Sequence, residues 1–237
     1  MRIQFRQGNA LIVFTFGKTS NKKIAPKDEK IVQTFSFIRE QYEISKGNTP
    51  MRAFFEMDES VCFECPFSVS NGAKLSACYT HKTVQYMGFL SSLRSIAKQY
   101  SKWEDIPTLD RNTQDQIIKQ SYNKYVRFGS YGEPSLIPIE LVQAIVWVSK
   151  SWTGYTHQWN QKPEYAPYLM ASVHTQAMEQ VARRKGWRSF IATPTPVQGI
   201  VNCPASNEQK FKSNCSKCGL CSGTQGKGNK SVYIIEH

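Results

Sequence analysis

Seven cysteines fall into two groups, and thiols at this spacing are the side chains in the chain best suited to chemistry. Cys62, Cys65 and Cys78 make the first group, with Pro66 directly after Cys65. Cys203, followed by Pro204, makes the second together with Cys215, Cys218 and Cys221. A C-x-x-C turn aims two sulfurs at one point, so cysteines spaced in this way read as metal or cluster ligands. In the second group, three thiolates two residues apart wrap three corners of one object and a fourth arrives from a distance, the spacing that grips a cubane iron–sulfur cluster. A single zinc held by all four thiolates is the alternative. The first group has only three thiols. A zinc site there needs a fourth ligand, and His81 stands three residues after Cys78. A cluster held by three thiolates leaves one iron open to a small molecule instead.

The remaining composition narrows the class. At 237 residues the chain is long enough to bury a proper core without disulfides. The N-terminus shows no signal-type apolar run, and no stretch approaches ~18 apolar residues, so no membrane partner is expected. A reducing cytoplasm is the expected compartment, where an odd number of cysteines reads as ligands rather than disulfides. The net charge of +12 favours phosphate-rich partners, either a nucleotide or a nucleic acid. Gly17, Lys18 and Thr19 suggest a phosphate loop, but Ile12 stands where its first glycine is required. Val173, His174 and Thr175 lack the second histidine of a rolling-circle nuclease pair.

Elements that could position these groups follow from periodicity and punctuation. Residues 1–50 read as a β-rich extension, with a strand over residues 10–16 and a charged turn over 18–30. Residues 51–201 read as alternating strands and helices, and 202–237 as a cysteine segment with a closing strand of the same domain. Strands are predicted over 52–57, 125–128, 154–159, 168–174, 187–192, 198–201 and 232–236. Helices are predicted over 83–101, within 102–123, from Pro138 onward and over 176–185, the last ended by Gly186. The helix over 83–101 takes Val84, Met87, Leu90, Leu93, Ile96, Ala97 and Tyr100 as its apolar positions. Alternation of this kind makes an α/β fold with a mostly parallel sheet, open or closed into a partial barrel. His157, His174 and His237 fall at the C-terminal ends of predicted strands, where parallel α/β folds place their ligands. The sulfurs are expected to converge at one rim. Trp103, Trp147, Trp152, Trp159 and Trp187 read as core more than as stacking platforms.

The segment Gly129, Ser130, Tyr131, Gly132, Glu133, Pro134 resembles the Gly-Gly-Glu-Pro segment of radical SAM enzymes. In that family the segment follows the second strand of a partial barrel, and a three-cysteine cluster loop follows the first. The family usually spaces those cysteines C-x3-C-x2-C, whereas here they run C-x2-C-x12-C. The resemblance implies a partial (β/α) barrel and a cluster on Cys62, Cys65 and Cys78 whose open iron binds S-adenosylmethionine. It also implies that Gly132, Glu133 and Pro134 form the cofactor-binding loop, with Glu133 anchoring the amino group. A second cluster on Cys203, Cys215, Cys218 and Cys221 would relay electrons or hold substrate. Residues 50–237 are also similar to an uncharacterised family of phage- and plasmid-borne proteins, which implies a bacterial cytoplasm. Against the enzyme stand a zinc-stabilised nucleic-acid-binding protein and a viral accessory or inhibitor protein that keeps the fold as a scaffold.

Overall fold

The computed structural model describes residues 1–75, 77–81 and 83–235. The chain opens on an antiparallel meander of β1 (Arg2–Gln7), β2 (Ala10–Lys18) and β3 (Lys30–Ile38). Alternation explains β3: Ile31, Phe35 and Phe37 share one face and Val32 and Thr34 the other, and both faces are covered. Helices α1 (Arg39–Ile44), α2 (Met51–Glu56), α3 (Glu59–Cys62), α4 (Thr83–Gln99) and α5 (Arg111–Ser121) come next. Then follow β4 (Tyr125–Tyr131), α6 (Ile139–Val148), β5 (Ser151–Thr153), β6 (Tyr155–Thr156), β7 (Met170–Val173) and α7 (Gln176–Arg184). The chain closes with β8 (Ser189–Thr193), β9 (Val201–Asn202), α8 (Cys215–Cys218) and β10 (Val232–Ile235).

Two five-stranded sheets result, ordered β1-β2-β3-β4-β5 and β6-β7-β8-β10-β9. From β3 onward every pairing is parallel. Only Gly154 separates β5 from β6, and its carbonyl accepts from Met170 N at 3.0 Å, so the run of parallel strands passes from one sheet into the other. A Cβ at Gly154 would lie 2.7 Å from Leu169 and 2.8 Å from Phe128, which reserves this crossing for glycine. One face of the parallel strands carries Val126, Phe128, Ala171, Val173 and Ile191, packed with Leu141, Val142, Ile145 and Ala182 of α6 and α7. A second core sets Phe37, Phe54, Phe55, Tyr86, Phe89 and Tyr131 between β3, α2 and α4.

Several expectations need correction. Residues 52–57 are not a strand but belong to α2 and the turn after it, started by Pro50 in extended backbone. A short apolar run suits either state, and here Phe54 and Phe55 fill the gap between α4 and the ends of β3 and β4 from a helix that pairs with no strand. The strand before the first cysteines is therefore β3, inside the segment read as an extension. On α4, Val84 and Met87 face solvent at 82 % and 53 % exposure, and Tyr86 and Phe89 take their place in the core. Trp147 is 90 % exposed, unlike Trp103, Trp159 and Trp187. The strand expected over 154–159 lies over 151–156, and the one over 198–201 shrinks to β9. The end of the closing strand at 236, and His237, lie outside the described residues.

Candidate cysteine centres

The first cysteine group is built on α3 and the turns after it. Asp58 precedes α3, and its carbonyl accepts from Cys62 N at 2.7 Å. Cys65 N then donates to Cys62 O at 3.1 Å, closing the C-x-x-C turn. Phe63 bends this turn with φ +46°, a backbone state that costs a non-glycine residue about 1–3 kcal/mol and persists only where surroundings enforce it. Burial pushes the Cys62 thiol well up, and Asp58, Cys65 and Cys78 push it further. Burial drives Cys65 up to about 12, with Cys78 and Asp58 adding to it. Cys78 is raised by burial and by Asp58. The three thiols thus sit within one another's electrostatic reach.

Amide dipoles work against that desolvation. The backbone N–H groups of Phe67 and Ser68 favour the Cys65 thiolate, and those of Thr80 and His81 favour that of Cys78. The Thr80 hydroxyl lies 3.0 Å from Cys78 Sγ. Successive N–H groups aimed at a sulfur form the kind of concavity that stabilises an anion.

His81, the proposed fourth zinc ligand, packs beside Asp58. It is buried, with Nδ1 3.2 Å from Leu75 O, Nε2 3.6 Å from Asp58 Oδ2 and its ring 4.0 Å from that of Phe55. With Nδ1 bonded to a backbone carbonyl, Nε2 is the ring nitrogen left for a metal, and here it stands beside Asp58.

The C-terminal ends of the parallel strands meet this group. Gln41 ties them together: its Oε1 accepts from Ile38 N at 3.2 Å, and its Nε2 donates to Phe54 O at 3.1 Å and Tyr131 Oη at 2.7 Å. Tyr131, the last residue of β4, is raised by burial and by the nearby Cys62, Asp58 and Cys78. Gly132 follows with φ +70°, and a Cβ there would lie 2.6 Å from Ser36 O on β3. A Gly132→Ala substitution therefore combines a left-handed backbone with a backbone clash. It should cost about 2 kcal/mol, a drop in the urea midpoint of about 1 M, with the loss of sheet closure at Ser36 visible by hydrogen exchange. An unchanged midpoint would contradict the close approach.

Glu133, expected to hold a ligand amino group, is satisfied internally. It is 2 % exposed, and its Oε1 and Oε2 accept from Ser135 N at 3.1 Å and His157 N at 2.9 Å. Burial raises its pKa, and the Thr156 side chain and these amides oppose the rise. Its carboxylate fixes the loop after β4 to the end of β6; its carbonyl accepts from Ser36 Oγ at 3.2 Å. Pro134 starts a short 3-10 turn and is buried.

His157 and His174 lie at this rim, as their strands predict. Their rings stack at 5.7 Å, and His174 meets the ring of Phe67 edge-on at 5.1 Å, joining the rim to the first cysteine loop. Burial holds both imidazoles down at about 4, and His157 lowers His174 further. An unfolded imidazole titrates near ~6.5, so between pH 6.5 and 4 the unfolded chain binds protons that the folded one refuses. Stability from this pair is complete above pH 6.5 and drains away as pH falls toward 4, by about 3 kcal/mol for His157 and less for the partly exposed His174. Glu133, with its raised pKa, works in the opposite sense. Replacing His157 by Gln should flatten the acid limb of the urea midpoint measured from pH 7 to 4.5; an unaltered slope would contradict the neutral, buried assignment.

The second group does not share this rim. Cys215 N donates to Lys23 O at 2.9 Å, and Cys215 packs with Ile24, Ala25, Ile31 and Tyr125, at the N-terminal ends of β3 and β4. Ser151 at the start of β5 donates to Ser216 O at 3.3 Å. Cys203, Cys215, Cys221 and Leu220 pack against Met170, Phe190 and Val232 on the strand face away from α6 and α7. Convergence of all sulfurs at one rim is thus overturned. The parallel strands stand between the two groups, because residues 203–221 return beneath the sheet after β9.

Locally the second group is well specified. Asn214 caps α8 by accepting from Lys217 N at 3.1 Å, and Gly219 ends it at φ +65°. Burial raises Cys221 strongly, and Cys203, Cys215 and Cys218 add to it while Arg188 opposes. Cys203 is raised by burial, relieved by Ala205 N–H, raised by Cys215, and relieved by Lys23. A cleft of ≈ 570 Å³ opens at Cys218, lined by Lys150, Trp152, Lys217 and Lys227.

Among the described residues, no three His, Cys, Asp or Glu side chains close to the spacing of a single bound metal ion. The seven thiols are free of disulfides. No helix among the described residues is long and apolar enough to cross a membrane. Comparison with protein-family models, with curated proteins and with solved structures finds no match for this chain.

Proposed function

We propose that the chain is an iron–sulfur enzyme of the radical-SAM-like kind, with one cluster held by Cys62, Cys65 and Cys78 and a second by Cys203, Cys215, Cys218 and Cys221. The observation that carries this reading is the first group: three buried thiols on one stretch of loop, with amides aimed at two of them, placed beyond the C-terminal end of the first parallel strand. Gly132 and Glu133 follow the second parallel strand, and the parallel pairings from β3 to β10 support the partial-barrel reading.

Thiolate is the soft ligand that iron–sulfur clusters require, and the donor sets suit such groups. When bound, a three-thiolate cluster supplies one-electron reduction of a sulfonium cofactor at its open iron. The chain contributes the rest. Amides at Cys65 and Cys78 stabilise the anionic sulfurs. Glu133 and Gln41 hold the ends of β3, β4 and β6 in register, so that the rim is rigid where a cofactor would lie. His157 and His174 present a neutral wall. The lysine-lined cleft at Cys218 supports electron entry at the second group. A charge of +12 supports a substrate bearing phosphate, a nucleotide or a nucleic acid.

The test is anaerobic reconstitution followed by reduction with dithionite in the presence of S-adenosylmethionine. Release of 5′-deoxyadenosine by the wild type, and its loss in Cys65→Ser, is the expected result. Iron with no cleavage would sink the enzyme. Stoichiometric zinc without sulfide would favour the zinc-stabilised, nucleic-acid-binding alternative.

A further inference from the structure

Among the described residues, Asp58 Oδ2 is a buried carboxylate oxygen with no hydrogen-bond donor. Asp58 is 0 % exposed. Its other oxygen, Oδ1, accepts from the Ser68 hydroxyl and from the Ser70 hydroxyl at 3.0 Å. Ser68 and Ser70 come three and five residues after Cys65, so the loop that carries the second thiol also pins one side of this carboxylate. Asp58 and Cys62 are four residues apart on the turn that enters α3, which sets their side chains on one face. His81 Nε2, at 3.6 Å, is outside hydrogen-bonding range of Oδ2. Withdrawing a carboxylate from water with one oxygen unbonded is costly, and a cation is the partner that removes the cost.

The same carboxylate adds to the upward shift of all three thiols of the first group, and Cys62 lies one helical turn after it. A buried carboxylate anchored on one side only, one turn before Cys62, has the form of a ligand. We infer that Asp58 Oδ2 is the fourth ligand of the group held by Cys62, Cys65 and Cys78. This rests on the reading that these cysteines hold an iron–sulfur cluster. In the resting protein Asp58 closes the iron that the cysteines leave open. A small molecule with amino and carboxylate donors would displace Oδ2 from that iron, a ligand exchange with no change of oxidation state. The released oxygen then needs only a small shift to meet His81 Nε2, while Ser68 and Ser70 keep Oδ1 in place. The site is thereby protected against losing its fourth iron until its cofactor is present.

The experiment compares the full-length wild type with Asp58→Asn and Asp58→Cys after anaerobic reconstitution, without any added cofactor. The Cys78→Ser protein, which keeps only the second centre, supplies the background. Each sample is exposed to mild ferricyanide, and loss of the fourth iron is followed by the three-iron signal in electron paramagnetic resonance and by iron content. Asp58→Asn should lose that iron at least about tenfold faster than the wild type, the size of effect expected when a metal's local support is removed. Asp58→Cys should resist loss, with a fourth thiolate in the same place. Equal rates in all three overturn the inference and leave the cluster itself standing. Should Asp58→Asn fail to fold, equal rates for wild type and Asp58→Cys still overturn it. A wild type without iron at the first group overturns both the cluster reading and the role of Asp58.

Discussion

Replacing Cys78 by serine removes about half of the iron and sulfide from the anaerobically reconstituted protein, and replacing Cys218 removes the other half. The expectation follows from placement. Cys62, Cys65 and Cys78 couple to one another and to Asp58 beyond the C-terminal ends of the strands. Cys203, Cys215 and Cys221 pack together with Leu220 against Met170 and Val232, and Cys215 also meets Ile31 and Tyr125 at the opposite ends of β3 and β4. Each substitution therefore leaves the other ligand set intact, and the surviving centre should keep its absorption and its reduced-state spectrum. Loss of both centres from either single change would mean that the groups assemble as one unit, against the geometry.

The second large effect is expected at Arg188, which stands at the start of β8 and is 6 % exposed. Its guanidinium donates to the carbonyls of Gly223 (2.6 Å), Leu220 (2.7 Å), Lys230 (2.8 Å and 3.1 Å) and Lys227 (3.2 Å). These carbonyls span the glycine-rich return between α8 and β10. One side chain thus satisfies an irregular segment that has few backbone partners of its own, and it also relieves the raised Cys221 thiol. Charge-assisted bonds contribute about 1.5–3 kcal/mol each and do not add fully, so Arg188→Met should cost about 4 kcal/mol. In a chain of this size that lowers the melting temperature by roughly 10 °C. Iron should leave the second centre faster in this variant, with the first centre unaffected. Lysine cannot reproduce the planar fork, so Arg188→Lys should recover little. A lysine variant as stable as the wild type would show that charge alone, rather than the fork, holds the loop.

These residues also show what a linear reading can and cannot reach. The cysteine groups were legible because spacing at two residues is a local property, and α8 realises it with an Asn cap and a left-handed glycine written beside the thiols. The helices at α4, α6 and α7 were legible because periodicity over ten or more residues leaves little choice. Residues 51–56 were not, since six apolar and charged residues satisfy a strand or a helix equally, and burial of Phe54 and Phe55 against α4 decides it. Val84 and Met87 fit the apolar stripe of α4 by count, but Tyr86 and Phe89 offered larger rings to the aromatic core. Placement of the two groups at opposite strand ends depends on where residues 203–221 cross the sheet, which only long-range pairing specifies. Asp58 gave no signal at all: a lone aspartate before a helix reads as a cap. Its burial, its two serines and its proximity to three thiols become visible only when residues 58, 62, 65, 68, 78 and 81 are brought together.

The most direct test of the account is the metal and sulfide content of the full-length chain purified and reconstituted without oxygen. Two cubane clusters predict about eight iron and eight sulfide per chain, with broad thiolate-to-iron absorption that bleaches on reduction. Colourless protein holding zinc, with no sulfide, would contradict the central claim that Cys62, Cys65 and Cys78 grip an iron–sulfur group.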